Sequence, residues 1–368
     1  MPVSPRLLPI PEPVISVIAL EPVYNILMSM SLLGRADHTS GLDEWVSQAT
    51  LQLDREVLER HELLFQWIWL DALTNAVPRG ATTEDFSAYL HALATQDAVV
   101  FRDTLFRWNI HSPHERVSFD SAPIPSVDPA VLLADYDAFV HFLVESFNEV
   151  KGTVPRAIHD LFNEPDRLQN MLVTHLEHVW DTVVAKEWQR VRPRLQTTVA
   201  AFQQVPLKGL TMLEAMQVVT DRDLRFAFRM DALLQYRRVR FIPQLHSGPY
   251  IIWFGDNEEL RIGFPARKPN TYTYTDRRFD QTTLANRYKA LADETRLGIL
   301  WALRDVGELS TQDVIDRFRL DKSAASRHLR QLVATSLIEE RREVGATKVY
   351  QLNPRAIDEI VRMLNALR

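Results

Sequence analysis

The chain is 368 residues long, 46% hydrophobic and 24% charged. This length and composition provide enough apolar residues for two globular domains and exclude a disordered chain. The chain contains no Cys, which excludes disulfides, thiolate metal sites, iron–sulfur clusters and a catalytic thiol. With only 11 Gly, it contains neither the dinucleotide-binding pattern nor the P-loop pattern. The net charge of -6, taken over the whole chain, argues against a nucleic-acid partner.

The first thirteen residues, 1–13, carry five prolines and a single Arg. They predict an extended Pro-rich tail, because a secretory signal needs a basic start and an unbroken apolar stretch. The longest apolar runs, Val14–Leu20 and Leu63–Leu70, are far shorter than the roughly 20 residues that span a bilayer. We therefore expect a cytoplasmic protein without a membrane partner.

Residues 14–264 predict a large α-helical N-terminal domain with a small β-sheet. Apolar residues recur at helical spacing from about 21 to 240, and the prolines at 155, 165 and 193 mark helix starts or stops. Short strands are predicted at 240–243, 250–254 and 260–264, and a strand at 14–18 could join the same sheet. The polar segment 265–280 is predicted to be a linker. The fold class is therefore mainly α.

The N-terminal domain carries no recognisable catalytic motif. His175 and His178 lie one helical turn apart, but no third metal ligand is evident and a polar helix face is the favoured interpretation. The pair His111 and His114, in a predicted loop, is interpreted in the same way. The segment Thr220–Asp223 contains paired carboxylates and is interpreted as a charged helix start. We predict no catalytic residue, no metal and no cofactor, although groups assembled across helices would leave no linear trace.

Seven of the eight Trp residues also lie in this domain. Aromatic residues at helical spacing usually belong to a core, and the alternative interpretation is that some of them line a ligand pocket.

The last segment, 281–368, predicts a different architecture. Helices are expected at 283–292, 293–305, 311–318 and 322–335, followed by a β-hairpin at 338–352 and a final helix that begins at Asn353-Pro354. Ser310 and Asp313 have the spacing of a capping box, and Asp321 is placed to cap the fourth helix. This order of elements is that of a winged helix-turn-helix domain.

The helix at 322–335 is the predicted DNA-reading element. Ala325, Leu329 and Leu332 form its apolar stripe, and the opposite face presents small hydroxyls and long cations. Small residues let a helix approach a base edge closely, and Arg side chains fork onto guanine or phosphate. A solvated polar face is the alternative; the capped helix before and the hairpin after favour DNA contact. The predicted contacts are Lys322, Ser323, Ser326, Arg327, His328 and Arg330 in the helix, with Arg341, Arg342 and Lys348 in the hairpin.

Two of these predictions carry a reservation that comes from the sequence itself. His328 lies at the edge of the apolar stripe, so packing or a phosphate contact is at least as favoured as base readout. Glu339, Glu340 and Glu343 are interleaved with the basic residues of the hairpin, which limits the hairpin to a few phosphate contacts.

Three stretches together resemble the ArsR/SmtB family of bacterial winged-helix repressors: 291–300, 323–332 and the Arg-rich hairpin ending at Leu352. The resemblance covers 281–368, about a quarter of the chain. It implies a homodimer whose recognition helices enter the major groove of an operator, and a repressor that ligand binding loosens from DNA. Ser336 departs from the family, which often has Gly at this position.

The metal chemistry of that family does not carry over to this chain. Its best-known thiolate ligands match Ser310 and Gln312, and the final helix, 355–368, contains no His for the other common site. The final helix instead carries an apolar stripe, which on so small a domain predicts a dimer interface. The predicted interface residues are Leu284, Tyr288, Ile357, Ile360, Val361 and Leu364.

The N-terminal domain resembles, more loosely, an uncharacterised domain found in front of ArsR-type headpieces, through 175–194 and 245–250. Residues 1–280 hold 27 Lys and Arg against 36 Asp and Glu, whereas residues 281–368 hold 15 against 12. The acidic excess therefore belongs to the N-terminal domain, and the C-terminal domain is mildly basic. We expect a ligand-responsive transcriptional regulator with operator DNA as its partner and an unknown small-molecule effector. The alternatives are an enzyme or a protein-interaction module in the N-terminal domain, with a regulatory headpiece appended.

Overall fold

A computed structural model of the chain describes residues 13–36, 39–77, 85–110, 127–147, 156–224, 228, 233, 235–255, 258–269, 281–341 and 348–365. Most of the predicted Pro-rich tail, the segment 270–280 of the predicted linker, and the pair His111 and His114 lie outside these ranges. No helix among the described residues is both long and apolar enough to cross a membrane.

The N-terminal domain is built mainly from helices, as predicted. The helices of its first part are α1 (Pro22–Ser31), α2 (Glu44–Thr50), α3 (Arg55–Trp67), α4 (Leu70–Asn75), α5 (Phe86–Ala94), α6 (Ala98–Ile110), α7 (Pro129–Ala134), α8 (Tyr136–Phe147) and α9 (Arg156–Phe162). Their apolar faces enclose one large core, in which Trp67 is buried, and Trp45, Trp108, Trp180 and Trp188 pack against it. The aromatic residues therefore serve largely as core, and Trp188 in addition lines a cavity.

A long helical rod follows. It consists of α10 (Pro165–Val179), a π-helical segment (Trp180–Val184) and α11 (Ala185–Phe202). Pro165 occupies the first turn of α10, as predicted. Pro193 lies inside α11, so the prediction that it marks a helix boundary was wrong. The next helix is α12 (Met212–Thr220), which begins with a capping box between Thr211 and Glu214.

The two candidate pairs of polar residues are placed differently from the prediction. His175 is fully buried and its Nε2 lies 2.9 Å from Nδ1 of His61, whereas His178 is exposed. The polar-face interpretation was therefore wrong for His175. Asp221 is the C-cap of α12 in a left-handed conformation (φ 58°), so the segment is a helix end and not a helix start.

The small sheet has four strands in the order β1-β2-β4-β3: β1 (Ile15–Ile18), β2 (Arg238–Gln244), β3 (Ile252–Gly255) and β4 (Glu259–Pro265). Strand β2 is parallel to both β1 and β4, and β3 is antiparallel to β4. The predicted strand at 14–18 thus joins the sheet, with almost the whole helical domain inserted between β1 and β2. Ala266 and Arg267 are buried after β4, and Arg267 donates to the carbonyl of Val219, so the start of the predicted linker lies within the fold.

The C-terminal domain has its own core. Its helices are α13 (Gln281–Leu291), α14 (Glu294–Val306), α15 (Thr311–Phe318), α16 (Lys322–Ala334) and α17 (Pro354–Asn365), and its strands are β5 (Glu308–Ser310), β6 (Ile338–Arg341) and β7 (Val349–Leu352). The strands form one antiparallel sheet in the order β5-β7-β6. The sequence pattern does not predict β5, because three residues are too few to show a period of two.

Candidate nucleic-acid interface

Helix α16 is positioned by a cap at its start and an apolar stripe along its length. The Asp321 side chain accepts a hydrogen bond from the backbone N–H of Ala324 at 2.7 Å, which satisfies one free donor of the first turn. Ala325, Leu329 and Leu332 are buried against the rest of the domain. The predicted stripe is therefore the one that docks this helix, and its other face points away from the core.

The preceding helix, α15, is fixed by the predicted capping box. The Ser310 hydroxyl accepts from the backbone N–H of Asp313 at 3.2 Å, and Asp313 accepts from the backbone N–H of Ser310 at 2.8 Å. The Asp313 carboxylate also accepts a hydrogen bond from the Ser310 hydroxyl at 2.7 Å. This bond and the one from the Ser310 backbone N–H lower the pKa of Asp313, because they favour its carboxylate form. The helix-turn-helix geometry therefore follows largely from short-range caps that the sequence displays.

The predicted DNA-contacting residues of α16 differ in their exposure to solvent. Lys322, Ser323 and Arg330 are exposed, and Ser326 and Arg327 are half-buried. This surface combines cations with small hydroxyls on the face of α16 opposite the buried Ala325, Leu329 and Leu332. It has the chemistry that a major groove accepts.

His328 is placed inside the domain and not on this outer face. Its Nδ1 lies 3.6 Å from the Asp293 carboxylate at the start of α14, and its side chain is only 19% exposed. Burial lowers the pKa of His328, with the positive charges of Arg296 and Arg327 adding to the shift and Asp293 opposing it. The packing interpretation of this residue fits the position.

The hairpin β6–β7 forms the wing. Arg341 is exposed, whereas Lys348 lies 3.0 Å from the Glu340 carboxylate of the facing strand. Arg342 and the wing tip lie outside the described residues. An ion pair on the wing reduces the positive charge available for phosphate, as the interleaved acidic residues led us to expect.

Ser336 follows α16 in a left-handed conformation, with φ 58°. This is the region that glycine adopts without steric penalty, which explains physically why Gly suits this turn. The departure at Ser336 is therefore tolerated with the turn intact, and the backbone N–H of Ser336 bonds to the carbonyl of Val333.

The six residues predicted to form a dimer interface do not share one surface. Ile360 is buried in the core of the C-terminal domain, and Tyr288 and Ile357 pack against that core. Leu284 is half-buried. Val361 and Leu364 are 50% and 48% exposed, so these two present the open apolar surface of α17.

A contact between the two domains was missed by the sequence reasoning. Arg222, directly after α12, donates hydrogen bonds to the carbonyls of Pro249 and of Ala334, the last residue of α16. Gln331 of the same helix is buried next to Gly41, where a Cβ would lie 3.0 Å from the Gln331 Nε2 atom. The N-terminal domain thus holds the C-terminal end of α16 and leaves Lys322 and Ser323 at its start exposed.

The part of the chain that the structure describes holds no group of three or more His, Asp or Glu side chains placed to bind a metal ion. The predicted absence of a metal site stays a prediction, because residues outside the described ranges also include His, Asp and Glu.

The fold and the exposed surface of α16 define a winged helix-turn-helix DNA-binding domain attached to a helical N-terminal domain. A helix-turn-helix domain family model matches residues 291–341. The arsenical resistance operon repressor of Staphylococcus aureus is 35% identical over 79 residues, which cover 22% of this chain and 74% of that protein. Through this domain the chain belongs to the ArsR family of helix-turn-helix regulators, and the N-terminal region lies outside these matches.

Two further proteins are similar to the same part of the chain. The arsenical resistance operon repressor of Escherichia coli (strain K12) is 39% identical over 67 residues, which are 18% of this chain and 56% of that protein. The solved structure of reduced HlyU from Vibrio cholerae N16961 is 34% identical, covers 23% of this chain and 87% of its own, and has a TM-score of 0.20.

Proposed function

We propose that this protein is a cytoplasmic, ligand-responsive repressor that binds operator DNA as a homodimer through α16 and the wing. The observation that carries the proposal is the pairing of an exposed, basic first turn on α16 with a C-terminal end held by Arg222 of the other domain. The first turn is the part of a recognition helix that reaches base edges. The held end is where a change in the N-terminal domain would alter the position of the helix.

The relatives support the repressor assignment. The two proteins similar in sequence are both described as repressors of an arsenical resistance operon. The chain has no Cys and therefore cannot bind a metal ion through thiolates, as members of the family do. Its effector is therefore not a thiolate-bound metal ion. The N-terminal domain is the part of the chain available to bind it.

A ligand changes DNA occupancy only through different affinities for two arrangements of the headpieces. A hundredfold change in occupancy requires about 2.7 kcal/mol of such differential binding, since each tenfold change corresponds to about 1.4 kcal/mol. Loss of one hydrogen bond from a charged donor is of this size, at roughly 1.5–3 kcal/mol. The Arg222 contact is therefore strong enough to carry the response.

The proposal is tested by genome-wide mapping of the DNA bound by the full-length chain, followed by affinity measurements on the mapped site. A palindromic site bound by two copies of the chain supports the proposal. Absence of any enriched site, together with DNA affinity that is the same for the mapped site and for scrambled DNA, contradicts it.

A second candidate function is hydrolysis, and one observation favours it. Nδ1 of His246 lies 2.7 Å from the Ser29 hydroxyl, and its Nε2 lies 2.7 Å from the Glu187 carboxylate. Such an array resembles the nucleophile, base and orienting acid of a serine hydrolase. Ser29 lies inside α1, however, where backbone N–H groups bond within the helix and are not free to stabilise an oxyanion. We therefore rank hydrolysis second; covalent labelling of Ser29 by a fluorophosphonate would reverse the order.

A further inference from the structure

The same three side chains border a cavity between α1, α11 and the end of β2. Ser29, Glu187 and His246 are all buried, and they form one wall. Burial alone would raise the pKa of Glu187, but hydrogen bonds from His246 and Arg190 lower it below its ordinary value. The wall is therefore an internally satisfied array in which the carboxylate is already balanced by Arg190, at 2.7 Å.

Two other polar residues of the cavity are not satisfied. Asn25 and Gln244 are buried, and the side-chain oxygen of each has no hydrogen-bond partner. The Asn25 amide nitrogen donates to the carbonyl of Pro243 at 2.8 Å, which fixes the orientation of the amide and leaves Oδ1 as an acceptor. A buried acceptor without a donor is unfavourable, because it has lost its hydrogen bonds to water and gained none in the protein. The cavity therefore favours a molecule that brings an N–H or O–H group.

Apart from Ser247, whose hydroxyl donates to the carbonyl of Tyr250 at 3.5 Å, the rest of the lining is apolar. It consists of Ile26, Met28, Val184, Trp188, Val191, Leu195 and Leu245. Among the described residues that line the cavity, Glu187 is the only Asp, Glu, Lys or Arg. Because Arg190, outside the lining, pairs with it, the lining favours an uncharged ligand. Val184 ends the π-helical segment, a local distortion that is frequent at functional sites.

The cavity is small in this structure. Its volume is about 10 Å³, roughly the space that one water molecule needs. Trp188 and Leu245 are half-buried and pack in the same cluster at the cavity. A ligand larger than water must therefore displace side chains such as Trp188 and Leu245. Leu245 is the first residue of the turn that follows β2.

The turn at 245–250 packs against the loop 40–43, and both contact groups that hold α16. The carbonyl of His246 accepts from the backbone N–H of Asp43 at 3.1 Å, and the Tyr250 hydroxyl donates to the carbonyl of Ser40 at 2.6 Å. Gly248 sits so close that a Cβ there would lie 1.9 Å from the carbonyl oxygen of Gly41. The loop 40–43 and the turn therefore form one packed body.

This body makes the contacts with α16 described above. Gly41 lies against Gln331, and Pro249 shares the Arg222 guanidinium with Ala334. Displacing Leu245 at the cavity thus shifts the groups that hold the C-terminal end of α16. Coupling between a ligand and DNA requires two sites that are joined through such a packed body. It also requires that this body has two arrangements, which the ligand and the DNA prefer differently.

We infer that the cavity bounded by Asn25, His246 and Trp188 binds a compact, uncharged aromatic molecule carrying one N–H or O–H donor, and that binding releases α16 from the 245–250 turn. This inference rests on the proposed function for its effect on DNA, but not for the ligand site itself. The donor pairs with the Asn25 oxygen, whose amide is held by the hydrogen bond to Pro243, and the ring lies among the apolar side chains.

The test uses calorimetric titration of the full-length chain with two matched pairs of probes. Indole is compared with benzofuran, and phenol with fluorobenzene; within each pair the shape is similar and only the first member donates a hydrogen bond. We expect indole or phenol to bind at least tenfold more tightly than its partner, because the partner leaves Asn25 Oδ1 unpaired. Equal binding within both pairs, or no binding because the cavity holds a structural water only, overturns the inference.

Variants locate the site. Val191→Phe fills the cavity and should abolish binding, whereas Val199→Phe lies two turns further along α11, outside the lining, and should preserve it. Asn25→Leu should remove the preference for the donor within each pair; if that variant fails to fold, the Val191→Phe comparison alone decides. Binding that survives Val191→Phe places the ligand elsewhere and overturns the inference.

The effect on DNA is measured separately by fluorescence anisotropy on the mapped operator. The bound probe should weaken operator affinity at least tenfold in the unsubstituted chain and in Val199→Phe, but not in Val191→Phe. Probe binding at the cavity without any effect on operator affinity overturns the coupling. A chain that binds the probe but has no operator at all refutes the proposed function and leaves the ligand site standing.

Discussion

Arg222 of the N-terminal domain donates a hydrogen bond to the backbone carbonyl of Ala334, the residue that ends α16. Burial, reinforced by the charges of Arg287 and Arg267, lowers the pKa of Arg222 to about 10, so the guanidinium remains protonated near neutral pH. A cation at a helix C-terminus satisfies free carbonyls and complements the helix dipole. One side chain therefore links the two domains at the end of α16.

Replacing Arg222 should uncouple the two domains. Arg222→Ala removes hydrogen bonds from a charged donor to two carbonyls, and we expect a loss of about 2–4 kcal/mol of coupling between the domains. Calorimetry should then resolve two unfolding transitions, and hydrogen exchange should speed up at the last turn of α16. Arg238→Ala, at an exposed position of β2, is the control and should leave a single transition. An unchanged exchange rate at α16 would show that the contact does not hold the helix.

The outer face of α16 should determine base preference. Arg327→Ala should weaken operator binding by about 1–3 kcal/mol and relax selectivity at one position. Lys348→Ala should instead act uniformly across sequences and lower the slope of log affinity against log salt by about 0.9, the value for one phosphate. Lys208→Ala, exposed in the N-terminal domain, is the control for net charge. The interface is misassigned if all three variants bind the mapped operator equally well.

The buried histidine pair should make the protein sensitive to acid. Burial lowers the pKa of His61 to about 4 and that of His175 to about 3, so both are neutral in the folded protein at pH 7. The unfolded chain binds these protons at about pH 6.5, so stability is fully present above that pH and is lost as the pH falls toward the folded values. We expect a loss of about 2 kcal/mol per histidine between pH 7.5 and pH 5, measured by urea unfolding.

The matched control for this effect is one helical turn away. His175→Gln should remove a large part of the acid sensitivity, whereas His178→Gln, at an exposed position of α10, should keep it. Equal pH dependence in the two variants would mean that other groups cause the loss.

The left-handed residue after α16 should be improved by glycine. A non-glycine residue at φ 58° is disfavoured by about 1 kcal/mol, so Ser336→Gly should stabilise the protein by roughly 0.5–1 kcal/mol. Ser326→Gly, inside the same helix, should destabilise it by a similar amount. Chemical unfolding of both variants tests the opposite signs, and a destabilising Ser336→Gly would show that the serine side chain contributes more than the backbone strain.

The exposed apolar residues of α17 should support self-association. Val361→Glu with Leu364→Glu places two charges on the surface that is about half exposed in one copy, and we expect a shift from dimer to monomer in analytical ultracentrifugation. Val131→Glu, 51% exposed on α7, is the control. A dimer that persists in the double variant would place the interface elsewhere.

The sequence by itself determined the architecture of the C-terminal domain. The caps at Ser310 and Asp321 and the stripe of Ala325, Leu329 and Leu332 act over one to three helical turns, so they are visible as local patterns. It also determined that the small sheet exists, because its strands are short apolar runs bounded by turn residues. The sequence could not decide whether His328 lies on the outer face of α16 or packs against Asp293. A helical wheel places this residue at the boundary between the apolar stripe and the polar face.

Only the tertiary structure decided what the N-terminal domain brings together. Ser29 meets His246 across 217 residues of chain, His61 meets His175 across 114, and Arg222 meets Ala334 across 112. Contacts of this kind depend on how whole helices dock, and single polar residues leave no periodic signal of their partners. The net charge of -6 is accordingly no obstacle to DNA binding. Its acidic excess lies in the N-terminal domain, which contacts α16 at its C-terminal end.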